Sequence, residues 1–106
     1  MLNALQPQTE VPIHRHKKTS ETVICLVGKL EEIIYEEVNE YVHETTSCCN
    51  DVIRQKSFKE VSRQILSPVE GKFGIQIPAG VWHTINIIEP SVIFEAKDGA
   101  YMGDGR

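Results

Sequence analysis

Short apolar runs separated by turn-forming residues set the rhythm of this chain. Residues 22–27 form a β-branched run that stops at Gly28-Lys29. Residues 30–38, with Ile33, Ile34 and Tyr35, form a second run, predicted to return antiparallel to the first. Phe73, Ile75 and Ile77 alternate with Gly74 and Gln76, the period of a strand, and Pro78-Ala79-Gly80 ends them. Residues 82–88 make another apolar strand closed by Glu89-Pro90, and residues 91–97 a last one closed by Asp98-Gly99. Phe58, Val61 and Ile65 have helical spacing, but residues 61–66 read equally well as a strand. Residues 43–57 are polar and read as irregular, and the tail 102–106 as frayed. Closely spaced short strands without a long amphipathic helix predict an all-β, antiparallel sandwich or barrel.

Composition narrows this picture without redirecting it. At 106 residues the chain is expected to form a single domain with one core, from about residue 4 to 98. Hydrophobic residues at 41% and charged ones at 25% are globular values. A net charge of −4 carries no electrostatic footprint for nucleic acid. No apolar run reaches the roughly 20 residues of a membrane span, and no secretory leader is visible. Three cysteines, with Cys48 and Cys49 adjacent, do not make a disulfide framework, so a reducing, cytoplasmic setting is expected. Cys25 reads as a small buried hydrophobe, Cys48 and Cys49 as loop residues, and His43 as a surface residue. The glutamate pairs Glu31-Glu32 and Glu36-Glu37 look like the wet face of a strand.

The chemistry concentrates in two places. His14 and His16, at i and i+2 on an extended segment, point to one face and can reach one ion. Pro12 supports the extended backbone, and a polar turn at 17–20 can carry the carboxylate of Glu21 back beside them. Far along the chain, the turn Pro78-x-Gly80 precedes His83, which is expected to face inward. Three imidazoles and a carboxylate form a mixed N/O set that suits one divalent transition metal such as Zn, Mn, Fe or Ni. Arg15, between the two histidines, should point away.

Placed in order, these segments carry a family resemblance. His14-x-His16-x4-Glu21-x6-Gly28 resembles the first cupin motif, and Gly71-x6-Pro78-x-Gly80-x2-His83 the second. Asn86 falls one residue short of the usual terminal Asn and is given no role. The resemblance implies a double-stranded β-helix, the cupin jelly roll. Ala4-Leu5-Gln6-Pro7, Pro12-x-His14-Arg15-His16, residues 77–84 and residues 94–99 further resemble the WbuC family of cupin metalloproteins. Members of that family are associated with bacterial surface-polysaccharide gene clusters. Against it, this chain begins almost directly in the first strand and carries an insertion around residues 43–58.

The functional expectation is a metal-dependent enzyme, isomerase- or epimerase-like, acting on a small polar or sugar-type molecule. The alternatives are a non-catalytic module that binds a small molecule through the same ion, and an iron-dependent dioxygenase. Glu95 is the candidate acid/base, with Lys97 and Tyr35 as pocket residues. Two readings of the last strand stay open at this stage. Either Val92, Phe94 and Ala96 fill the core and leave Glu95 and Lys97 in water, or the apolar face looks outward and the charges line the cavity. Trp82 reads as packing on the face opposite His83. A homodimer is expected, through the Trp82 and Phe94 faces.

Overall fold

The computed structural model describes residues 1–45 and 50–98. Its strands are β1 (Leu2–Leu5), β2 (Glu21–Thr45), β3 (Asn50–Leu66), β4 (Gly74–Ile77) and β5 (Trp82–Lys97), with one 3-10 turn at Pro68–Glu70. All strand pairings are antiparallel, in the order β1-β5-β2-β3, with β4 also paired to β2. No α-helix occurs among the described residues, and none is present that is long and apolar enough to cross a membrane. The all-β expectation therefore holds, while Val61–Leu66 resolves to strand.

The strands are fewer and longer than the apolar runs predict. Gly28 does not end a strand or open a hairpin: β2 continues through it, and both halves pair with β5. Glu89-Pro90 likewise falls inside β5. The register between the two strands slips repeatedly from Cys25 to Leu30, which bends them together. Gly28 has φ 97°, and a Cβ there would meet the Pro90 carbonyl oxygen at 2.2 Å. Only glycine lets the two backbones approach so closely at that corner. Ser91 closes it, its hydroxyl donating to the Glu89 carbonyl at 2.7 Å and accepting from the Lys29 N–H at 3.1 Å.

Folding at this corner turns one side of the sheet inward. Val23, Cys25, Leu30, Leu66, Ile77 and Ile93 form the buried cluster, with Leu5, Ile34, Ile75, Val81 and Ile85 packed on it. Cys25 is buried as expected, with its thiol against the Val27 carbonyl. Cys48-Cys49 and the tail at 102–106 lie outside the described residues, as does the side chain of His43.

Over its described residues, the segment expected to be irregular is instead regular. Residues 43–45 pair with residues 50–52, and the ladder runs on to Tyr35↔Glu60 with one slip at Ile34/Tyr35. This ribbon has β-formers at Val38, Tyr41, Val42, Val52 and Ile53 in its sequence, and its ladder pairs backbone polar groups between the two strands. It lengthens the molecule to 58 × 34 × 20 Å, with a radius of gyration of 17.6 Å. A compact chain of this length would have about 13 Å.

Candidate metal centre

The inner face of the bend holds the polar residues singled out in the sequence. His14 forms an isolated antiparallel bridge with His83, the His14 N–H donating to the His83 carbonyl at 3.0 Å and the His83 N–H to the His14 carbonyl at 2.8 Å. The Gly80 N–H donates to the His16 carbonyl at 2.7 Å. The Pro78-x-Gly80 turn thus fastens the His14–His16 segment to the start of β5. Glu21 opens β2 on the opposite wall.

One donor atom from each of His14, His16, Glu21 and His83 lies within 4.8 Å of the others. His83 and Glu21 are only 2% and 3% exposed. The Nδ1 atoms of His14 and His83 each stand 2.9 Å from a backbone carbonyl, those of Pro12 and Val81. As N–H donors there, they leave Nε2 as the free lone pair, the usual support for a metal-bound imidazole. His16 Nε2 and His83 Nε2 each lie 3.3 Å from one oxygen of Glu21. Both nitrogens are nevertheless buried without hydrogen-bonded partners among the described residues. Lone pairs that converge near a carboxylate without bonding to it suit a shared cation. Donors about 2.0–2.2 Å from one ion stand at most about 4.4 Å apart, so a small contraction closes the set. The residues present fit one divalent metal ion.

Burial and neighbouring charges act differently on the three groups around Glu21. Burial pushes the Glu21 carboxyl up, but the close approach of His83 and the charges of His16 and His83 outweigh it and hold it below the ordinary range. Burial lowers His16, aided by Lys97 and the other two histidines against the pull of Glu21. In His83 burial is overcome by Glu21, the Val81 carbonyl and Glu32, and the net shift is upward.

Two cavities meet at this cluster. An inner one of about 100 Å³ is walled by Leu5, Val11, Val23, Ile85 and Ile93, and His14, Glu21 and His83 also line it. An outer one of about 300 Å³ is lined by Met1, His14, His16, Glu21, Glu95 and Lys97. Glu95 and Lys97 therefore stand on the inner face, while Phe94 is 40% exposed on the other. Glu95 accepts from the Asn3 amide at 2.6 Å and touches both cavities. Burial and the neighbouring Glu21 charge raise its carboxyl. Tyr35 lies away from both cavities, paired with Trp82 at the root of the ribbon. Trp82 packs against Phe58, ring centroids 4.9 Å apart, and carries the Arg15 guanidinium 4.5 Å from its ring centroid. It is thus packing opposite the site, and Arg15 points away from the histidines.

One residue of the site escaped the sequence. Glu32, expected on a wet face, is 1% exposed and lines the inner cavity with Glu95 and Asn3. Neither of its oxygens has a hydrogen-bond partner among the described residues. Desolvation, opposed by His83 and reinforced by Glu21 and Glu95, pushes its carboxyl up to about 8. The signal was parity: Glu32 shares a strand face with Leu30, in the core, and with Ile34, which packs on it, whereas Glu31 does not.

A model of a family described as a domain of unknown function, DUF6016, matches residues 1–47. That N-terminal span, which includes His14, His16, Glu21 and Glu32 but not His83 or Glu95, is similar to the domain. No curated protein and no solved structure matches the chain.

Proposed function

We propose that this chain is a cupin-type metalloprotein of the WbuC kind. It holds one divalent transition metal on His14, His16, Glu21 and His83 and acts on a small polar molecule admitted through the outer cavity. The observation that carries the reading is the convergence of those donors within 4.8 Å, with two imidazole nitrogens buried and unpartnered. A metal held there supplies Lewis-acid polarisation of a ligand oxygen. The chain's own part is to orient and to move a proton. Asn3 fixes the Glu95 carboxyl beside the cluster, where it can exchange a proton with a ligand in the cavity. Lys97, at the outer mouth, adds a positive charge that a sugar-type or other oxygen-rich molecule would meet on entry.

A titratable carboxyl next to the ligand set favours an isomerase- or epimerase-like enzyme over a module that only binds. A role in bacterial surface-polysaccharide metabolism, and pairing of two copies through the exposed Phe94 face, belong to the same reading. Elemental analysis of protein purified without added metal tests its foundation. Near-stoichiometric metal in the wild type and its loss in His83→Ala is the expected result. A metal-free wild type that also takes up none from Zn²⁺, Mn²⁺, Fe²⁺ or Ni²⁺ would overturn it.

A further inference from the structure

We propose that Glu32 is a hydroxyl-binding anchor of the ligand pocket. It holds a hydroxyl group of a small molecule, uncharged at that end, that fills the inner cavity and reaches the His14–Glu21–His83 wall with its other end. For that other end alone the proposal rests on the metal-binding reading above.

Glu32 is 1% exposed, and among the described residues neither of its oxygens has a hydrogen-bond partner. Buried carboxyl groups kept for structure are nearly always hydrogen-bonded, because leaving one unpaired forfeits its desolvation cost. Its strand neighbours on the same face are Leu30 and Ile34, and Ile85 lies directly across the ladder. An apolar side chain at position 32 would suit that setting, so packing does not call for a glutamate.

The cavity beside it answers the question of a partner. Its lining includes Glu32 and the donor residues His14, Glu21 and His83. At about 100 Å³ it holds roughly three waters' worth of liquid and is smaller than the ~150 Å³ cavity that admits benzene. The part of the ligand inside it is therefore short. A carboxyl that keeps its proton presents one donor and one acceptor, and a hydroxyl can meet either. Apolar walls together with Glu21 and Glu95 would penalise an anionic group at this end.

Hydroxyacetone and acetone differ by that hydroxyl, and both can offer a carbonyl oxygen to a metal. Binding of each to cobalt-loaded protein, followed by the visible absorption of the ion, tests the anchor in the wild type, Glu32→Gln and Glu32→Leu. The wild type is expected to prefer hydroxyacetone at least about tenfold, the value of one good hydrogen bond. Glu32→Gln, which still donates and accepts, should keep the preference within about threefold, and Glu32→Leu should abolish it. Cobalt content should be the same in all three. Equal preference in the wild type and Glu32→Leu, or no saturable response to hydroxyacetone in the wild type, would overturn the proposal. Failure of the wild type to take up cobalt would instead count against the metal reading. In that case a rise in Tm on adding hydroxyacetone, absent in Glu32→Leu, still reads the anchor. A lower Tm in ligand-free Glu32→Leu, with hydroxyacetone giving no rise in wild-type Tm, would make Glu32 a structural residue and overturn the anchor.

Discussion

Strand β2 passes through two environments, and its glutamates show what separates them. From Leu30 to Tyr35 it has a partner on each edge, β5 and β3, whereas from Glu36 to Thr45 only β3 remains. Within the first region Glu31 is answered by Arg63 at 3.1 Å and Asn86 at 2.9 Å, while its neighbour Glu32 is sealed inside with no partner. In the second, Glu37 reaches Lys56 at 3.9 Å across a ribbon open to solvent. The same residue type in the same strand is thus an ion pair, a buried acid or a solvated charge. What decides is whether a second layer covers its face. Stability is concentrated where the sheet folds over itself, and the ribbon rests on backbone ladders and small side-chain pairs.

The sharpest way to break the contrast is at the corner that creates the covered region. Gly28→Val puts a side chain into the Pro90 carbonyl and into a positive-φ backbone. It is expected to cost more than about 4 kcal/mol in urea unfolding, enough to abolish the folded state.

The next effect tests the sealed acid. In metal-free protein burial raises the Glu32 carboxyl to about 8 from its ordinary value of 4.5. Between those values the unfolded chain releases the proton while the folded chain keeps it, so stability falls as pH rises. The contribution is fully present below about 4.5 and lost once the pH has passed about 8. Glu32→Gln should remove this slope and exceed the wild type by an amount on the order of a few kcal/mol at pH 8. Parallel stability profiles for the two proteins from pH 5 to 8 would show that the acid is not sealed.

The smallest effects belong to the ribbon. Phe58→Ala should cost about 1–2 kcal/mol through its lost contact with Trp82, and Lys56→Ala about 0.5 kcal/mol or less. Metal content should be unchanged in both. A ribbon variant that emptied the metal centre would erase the distinction between the regions.

Much of the candidate site was legible from spacing. His14 and His16 share a face because a strand repeats every second residue, and Pro78-x-Gly80 announced a tight turn ahead of His83. Glu95 was placed only as one of two options, because strand parity names two faces without saying which is covered. Glu32 was misplaced because a pair of adjacent glutamates looks wet. Their opposite parity becomes meaningful only when Leu30 and Ile34 are known to be core. Tyr35 looked like a pocket wall for the same reason, yet it sits where the sheet leaves the fold.

By itself the sequence determined the all-β class, the burial of Cys25 and the four residues able to share an ion. These follow from local rules of alternation, turn chemistry and ligand type. Tertiary structure alone decided that Gly28 and Pro90 are a bend within two long strands rather than their ends. It also decided that the polar stretch from 43 to 57 joins a regular ladder over its described residues, and that Glu32 faces the cavity. Each of these depends on which backbone lies opposite. That choice is made by residues distant in the chain, through register and close approach, and short-range pattern does not encode it.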